Sequence, residues 1–144
     1  METKIETQLS SELQEMYLEN KEWLSDILFL EDEMRFFQQI FKQVIASPMQ
    51  QNNLEEVEFM KLSLVDLQER RNQLNGIVNT RQGVLEAMLK NESKTINLAF
   101  IEEDTAIVKE IKTLLATDKE VKGKLFALVE AFEPKVKTQK YPIL

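Results

Sequence analysis

The sequence predicts an all-α fold, an elongated antiparallel up-down-up bundle of three long helices. Apolar side chains recur at three- and four-residue steps along three separate segments. Only three glycines and three prolines occur in 144 residues, and 30% of residues are charged, so turn chemistry is scarce and helix formers dominate. The polar stretches SPMQQNN and KNESKT separate the segments into near-equal lengths of about 35 residues, roughly 53 Å each at about 1.5 Å per residue. Short loops between matched helices make antiparallel neighbours.

In the first segment Leu13, Met16, Asn20, Trp23, Ile27, Leu30, Met34, Phe37, Phe41 and Val44 form a heptad seam with one polar member, Asn20. Ser11-Glu12-Leu13-Gln14 fits a capping box, so the helix is expected to start near there, with residues 1–8 frayed. Pro48 stops it by Ala46 or Ser47, because the residue before a proline is driven out of the α conformation. Tyr17, Leu24, Ile40 and Ile45 flank the seam, and Leu28, Phe29 and Phe36 lie further round. The apolar face then covers roughly 200°, against the ~100° that a surface helix needs. Leu28, Phe29, Phe36 and Ile40 are the hardest of these to cover within three helices, and form the candidate interaction surface.

The second helix is expected to begin at Leu54, capped by Asn53, with Glu56 completing the box. Its seam runs Val57, Met60, Leu64, Leu67, Arg71, Leu74, Val78, Arg81, Leu85 and Met88, in phase through Gly76 and Gly83. Asn97 can cap the third helix, whose seam is Phe100, Asp104, Ile107, Ile111, Leu114, Asp118, Val121, Leu125, Leu128 and Phe132. A break near Gly76 or Thr117 would make a four-helix bundle; the unbroken phase favours three. The whole chain, 1–144, reads as one domain, with an exposed tail from Pro134 to Leu144.

The seams carry five polar residues: Asn20, Arg71, Arg81, Asp104 and Asp118. Residues level with each other across an antiparallel pair have nearly constant summed numbers, about 188 for the second and third helices and about 100 for the first and second. Arg81 then faces Asp104 with Asn20 beside it, and Arg71 faces Asp118. Such layers fix register at some cost in stability. The alternative use of Arg71 and Arg81 is to hold a small anion, oriented by Asn20. The same counting sets Trp23 near Gly76, large against small.

No histidine and no cysteine occur, which removes the commonest general base, the thiolate nucleophile, every serine–histidine triad and the usual metal ligands. Acidic runs at Glu31-Asp32-Glu33, Glu55-Glu56 and Glu102-Glu103-Asp104 point about 100° apart per residue and are not expected to converge. No catalytic residue, metal or cofactor is assigned. A net charge of −7 disfavours nucleic-acid binding, and no apolar run is long enough to span a bilayer or act as a signal segment, so a cytoplasmic protein is expected. The charge is uneven: −6 over residues 1–53, −2 over 54–92 and +1 over 93–144.

The function expected is a non-enzymatic helical interaction or scaffolding module, with a protein partner and self-association through the first helix. Beside it stand the anion-binding bundle and an acidic regulatory protein that holds a basic partner through Glu12, Glu15, Glu19 and Glu22.

Overall fold

The three periodic segments are realised as three helices in a computed structural model that describes residues 2–91 and 96–132, with side chains at 11–90 and 96–132. Helix α1 spans Glu2–Ala46, α2 Leu54–Asn91 and α3 Leu98–Phe132, and no strand occurs among the described residues. The fold is all-α. Neither Gly76 nor Thr117 interrupts its helix, because continuous apolar phase outweighs one or two poor helix formers. The expected tail, 134–144, lies outside the described residues.

One boundary differs from expectation, the start of α1. Helix α1 begins at Glu2 and passes straight through Ser11, so the capping-box sequence there is internal. The preceding ETKIETQLS holds neither glycine nor proline, and nothing in it stops propagation. The first connection is a 3₁₀ helix, Pro48–Asn53, whose N-cap Ser47 accepts a hydrogen bond from the Met49 amide at 3.2 Å. Asn53 donates back to the Met49 carbonyl at 3.1 Å, which closes the turn. At the start of α3 the Asn97 side chain accepts from the Phe100 amide at 2.8 Å, the cap its sequence implies.

The helices divide into two compact units, each holding part of all three. The first comprises the described residues of Met1–Phe29 and Arg70–Leu114. There α1 and α2 run antiparallel, since Asn20 reaches Val78 and Arg71 reaches Ile27, and α2 and α3 do too, since Arg70 pairs with Glu110 and Arg81 with Glu103. Leu13, Trp23 and Ile27 of α1 are buried, as are Leu74, Val78, Leu85 and Met88 of α2 and Ile107, Ile111 and Leu114 of α3. Tyr17 and Phe100 pack against Leu13, Leu85 and Met88 at one end.

The second unit comprises the described residues of Leu30–Glu69 and Leu115–Leu144. Leu30, Met34, Phe37, Phe41 and Val44 are buried, together with Met60, Leu64 and Leu67 of α2 and Val121, Leu125, Leu128 and Phe132 of α3. Gln38 meets Gln68 at 2.8 Å, and α1 runs parallel to α3, with Glu33 against Lys122 and Phe36 against Phe126.

Trp23 does not explain Gly76. A Cβ at position 76 would meet nothing within 4 Å, and the same is true at Gly83 and Gly123. A helical glycine in open space only raises backbone entropy in the unfolded chain, so Gly76→Ala is expected to stabilise the protein by about 1 kcal/mol. A urea midpoint unchanged or lowered by Gly76→Ala would show that the bare backbone is needed there.

Candidate functional site

The first unit buries its charge around Arg81. This side chain is a seam member of α2, 2% exposed, and α3 supplies its partners: Nη1 lies 2.9 Å from Glu103 Oε1 and Nη2 lies 3.0 Å from Asp104 Oδ1. The consecutive acids do converge, because a guanidinium offers two separate NH₂ groups and neighbouring helical side chains can approach it from both sides. The Phe100 ring stacks on the guanidinium, with Cζ 3.7 Å from its centroid. Arg81 Nε is buried without a hydrogen-bond partner.

Asn20 sits at the same level and is fully buried, with its partners on either side of Arg81 in the α2 sequence. It donates to the Val78 carbonyl at 3.1 Å and to Gln82 Oε1 at 2.7 Å. Asn20 thus pins α1 to a backbone carbonyl of α2. That is a register device, because sliding either helix by a turn would leave a buried amide unpaired.

Glu19, the neighbour of Asn20, completes the cluster. Its carboxyl hydrogen-bonds that of Asp104, and two carboxyls can do so only if one holds a proton. Burial, then the Asp104 hydrogen bond and charge, push Glu19 up to about 7, with Glu22 adding to the rise and Arg81 opposing it. Burial also raises Asp26, reinforced by the charge of Glu22.

The second unit repeats this chemistry two heptads on. Asp118, buried on α3, hydrogen-bonds Glu33 of α1; burial, then the charge and hydrogen bond of Glu33, raise it to about 6, while Lys122 opposes the shift. Lys122 Nζ lies 3.3 Å from Glu33. Glu19 and Glu33 are fourteen residues apart, as are Asp104 and Asp118, so one spacing on each helix brings acid to acid twice. Arg71 belongs to the first unit, where Nε donates to the Ile27 carbonyl at 3.3 Å and Nη1 to Asn72 at 3.0 Å. Arg71 and Asp118, expected to face each other, fall in different units.

Glu19, Gln82 and Glu103 in the first unit and Glu33 in the second are the residues that seam counting passes over. All sit just off the seam, and the fourteen-residue acid spacing is the signal that finds Glu19 and Glu33; Phe100 is a seam member whose stacking on Arg81 the counting did not foresee. Among the described residues no group of three or more carboxylates is placed to hold a metal.

The apolar candidates divide as well. In the first unit Leu28 is 61% and Phe29 52% exposed, and Leu18 is exposed on the same outer side of α1. In the second, Ile40 is half-buried and Phe36 is exposed yet sits edge-on to Phe126, ring centroids 6.3 Å apart at 83°. Phe36 is therefore covered in part by its own chain. No described helix is long and apolar enough to cross a membrane. No protein-family model matches the chain, and no curated protein or solved structure matches it.

Proposed function

We propose that the chain is a non-enzymatic helical interaction module of the cytoplasm that self-associates through the outer face of α1. The observation that carries this reading is the adjacent pair Leu28 and Phe29, both more than half exposed on a helix whose seam is already filled. Each such side chain, left in water, forgoes about 1.5–3 kcal/mol of burial, and a second copy of the same face recovers it for both chains at once. Leu18 extends the patch along α1.

The anion-binding reading has less support. Arg81 already faces two carboxylates and an aromatic ring, so its charge is spent inside the unit.

The double variant Leu28→Glu/Phe29→Glu tests self-association. Both positions are exposed, so the fold is expected to stay intact by circular dichroism while the dissociation constant of the oligomer weakens at least tenfold in sedimentation velocity. Unchanged association by a folded double variant would remove this face from the account. Phe36→Glu is a less selective probe, because it also breaks the contact with Phe126.

A further inference from the structure

The second unit has a groove between α2 and α3 of about 650 Å³, lined by Asn53, Glu55, Glu56, Phe59, Met60, Lys124, Ala127, Leu128 and Ala131. Its floor is apolar: Met60 and Leu128 are buried beneath it, and Ala127 and Ala131 leave room above the α3 backbone. Phe59 forms a wall and is 55% exposed. Lys124 covers one side of that ring, 5.0 Å from its centroid, and is itself tied to Glu120. The other end of the groove is acidic, with Glu55 and Glu56 in the first turn of α2. An apolar trough with an acidic end suits an extended segment that carries lysines and then large apolar side chains.

The sequence contains such a segment directly after α3. Directly after Phe132, the last residue of α3, the sequence runs EPKVKTQKYPIL, with Lys135, Lys137 and Lys140 ahead of Tyr141, Ile143 and Leu144. Pro134 and Pro142 hinder a helix or a central strand and favour an extended path. We propose that residues 134–144 dock back into this groove, lysines toward Glu55 and Glu56 and the apolar side chains of 141–144 over Phe59, Ala127 and Ala131. At roughly 3.3 Å per residue these eleven residues span about 36 Å, whereas Ala131 and Lys124 are seven residues, about 10 Å, apart on α3. The tether holds the segment at millimolar effective concentration, so even weak complementarity keeps the groove occupied. The segment then acts as an intramolecular competitor for any other chain that the groove could take, and masks an apolar surface distinct from the α1 face.

The absence of cysteine makes the test direct. Full-length protein carrying Ala127→Cys with Ile143→Cys is oxidised under dilute conditions beside a control carrying Gln39→Cys with Ile143→Cys; Ala127 and Gln39 are both exposed in this unit. The expected result is an intramolecular disulfide that forms at least tenfold faster at Ala127→Cys than in the control. Adding Lys135→Glu, Lys137→Glu and Lys140→Glu is expected to reduce that advantage severalfold. Equal rates for the two pairs would overturn the proposal, as would a disulfide-linked dimer as the main product, which would assign the groove to a second copy. Because the readout is a linkage within the second unit, it stands or falls separately from the self-association of Leu28 and Phe29.

Discussion

Arg81→Met is expected to destabilise the protein by about 3 kcal/mol at pH 8, measured as a fall in the urea midpoint with little change in slope. The cost arises from what Arg81 leaves behind more than from the contact itself. Asp104 and Glu103 lose their cation, and at pH 8 Glu19, raised only to about 7, has mostly lost its proton beside Asp104, so removing the guanidinium places carboxyls together with no counter-charge. Buried charges left unpaired typically cost about 3–5 kcal/mol, and the lower figure applies because Glu103 is half exposed to solvent. Methionine roughly fills the vacated space beside Phe100, so the loss is electrostatic rather than a cavity. The penalty is therefore expected to shrink at pH 5, where Glu19 holds its proton. A loss of equal size at both pH values would mean that packing, not charge, sets the role of Arg81.

The second large effect is an inverted pH dependence. Glu19 is raised from an ordinary 4.5 to about 7 and Asp118 from 3.8 to about 6, and both exceed the values these groups have in an unfolded chain. A group whose folded pKa is the higher one binds its proton more tightly when folded, so its stabilisation is complete below the unfolded value and disappears as pH rises through the folded value. Stability is thus expected to fall between about pH 4 and pH 7, first as Asp118 loses its proton against Glu33 and then as Glu19 loses its proton against Asp104. Both clusters contain a cation and some solvent, which limits the change to on the order of 1 kcal/mol per pair, a few degrees in Tm. Self-repulsion of a chain with net charge −7 acts in the same direction, and Glu19→Gln separates the two. The glutamine amide can donate to Asp104 at any pH, so this variant is expected to melt higher than the parent at pH 8 and to lose about half of the pH slope. An unchanged slope would remove the Glu19–Asp104 pair as its source.

Much of the fold was legible because helical burial is periodic. The α1 seam from Leu13 to Val44 is buried at every position except the half-buried Met16, and the polar interruptions Asn20 and Arg81 lie in the interior, where their phase puts them. Counting across antiparallel helices locates backbone levels well enough to bring Arg81 to Asp104, since a long side chain tolerates an error of a residue or two. It could not choose partners for shorter ones: Asn20 takes Val78 and Gln82, which lie on its own side of α2.

The acid pairs were hidden for a different reason. Like-charge neighbours look unfavourable in sequence, and a carboxyl pair becomes stable only once burial makes holding a proton cheaper than holding a charge. Exposure was misjudged in both directions. Phe36 finds Phe126 from a helix 90 residues away in sequence, whereas Phe59, Leu62 and Val65 on α2, which sequence reasoning passed over, remain exposed. Periodicity tells which side of a helix faces inward, but not how far a flanking ring is covered by its neighbour.

Self-association is the central claim, and the most direct measurement is the mass of the intact protein by light scattering coupled to size-exclusion chromatography, over a range of micromolar concentrations. The account predicts a mass that rises with concentration to at least twice the 16.9 kDa of one chain, and that returns toward the single-chain value in Leu28→Glu/Phe29→Glu. A wild-type protein that stays at 16.9 kDa throughout that range would contradict it.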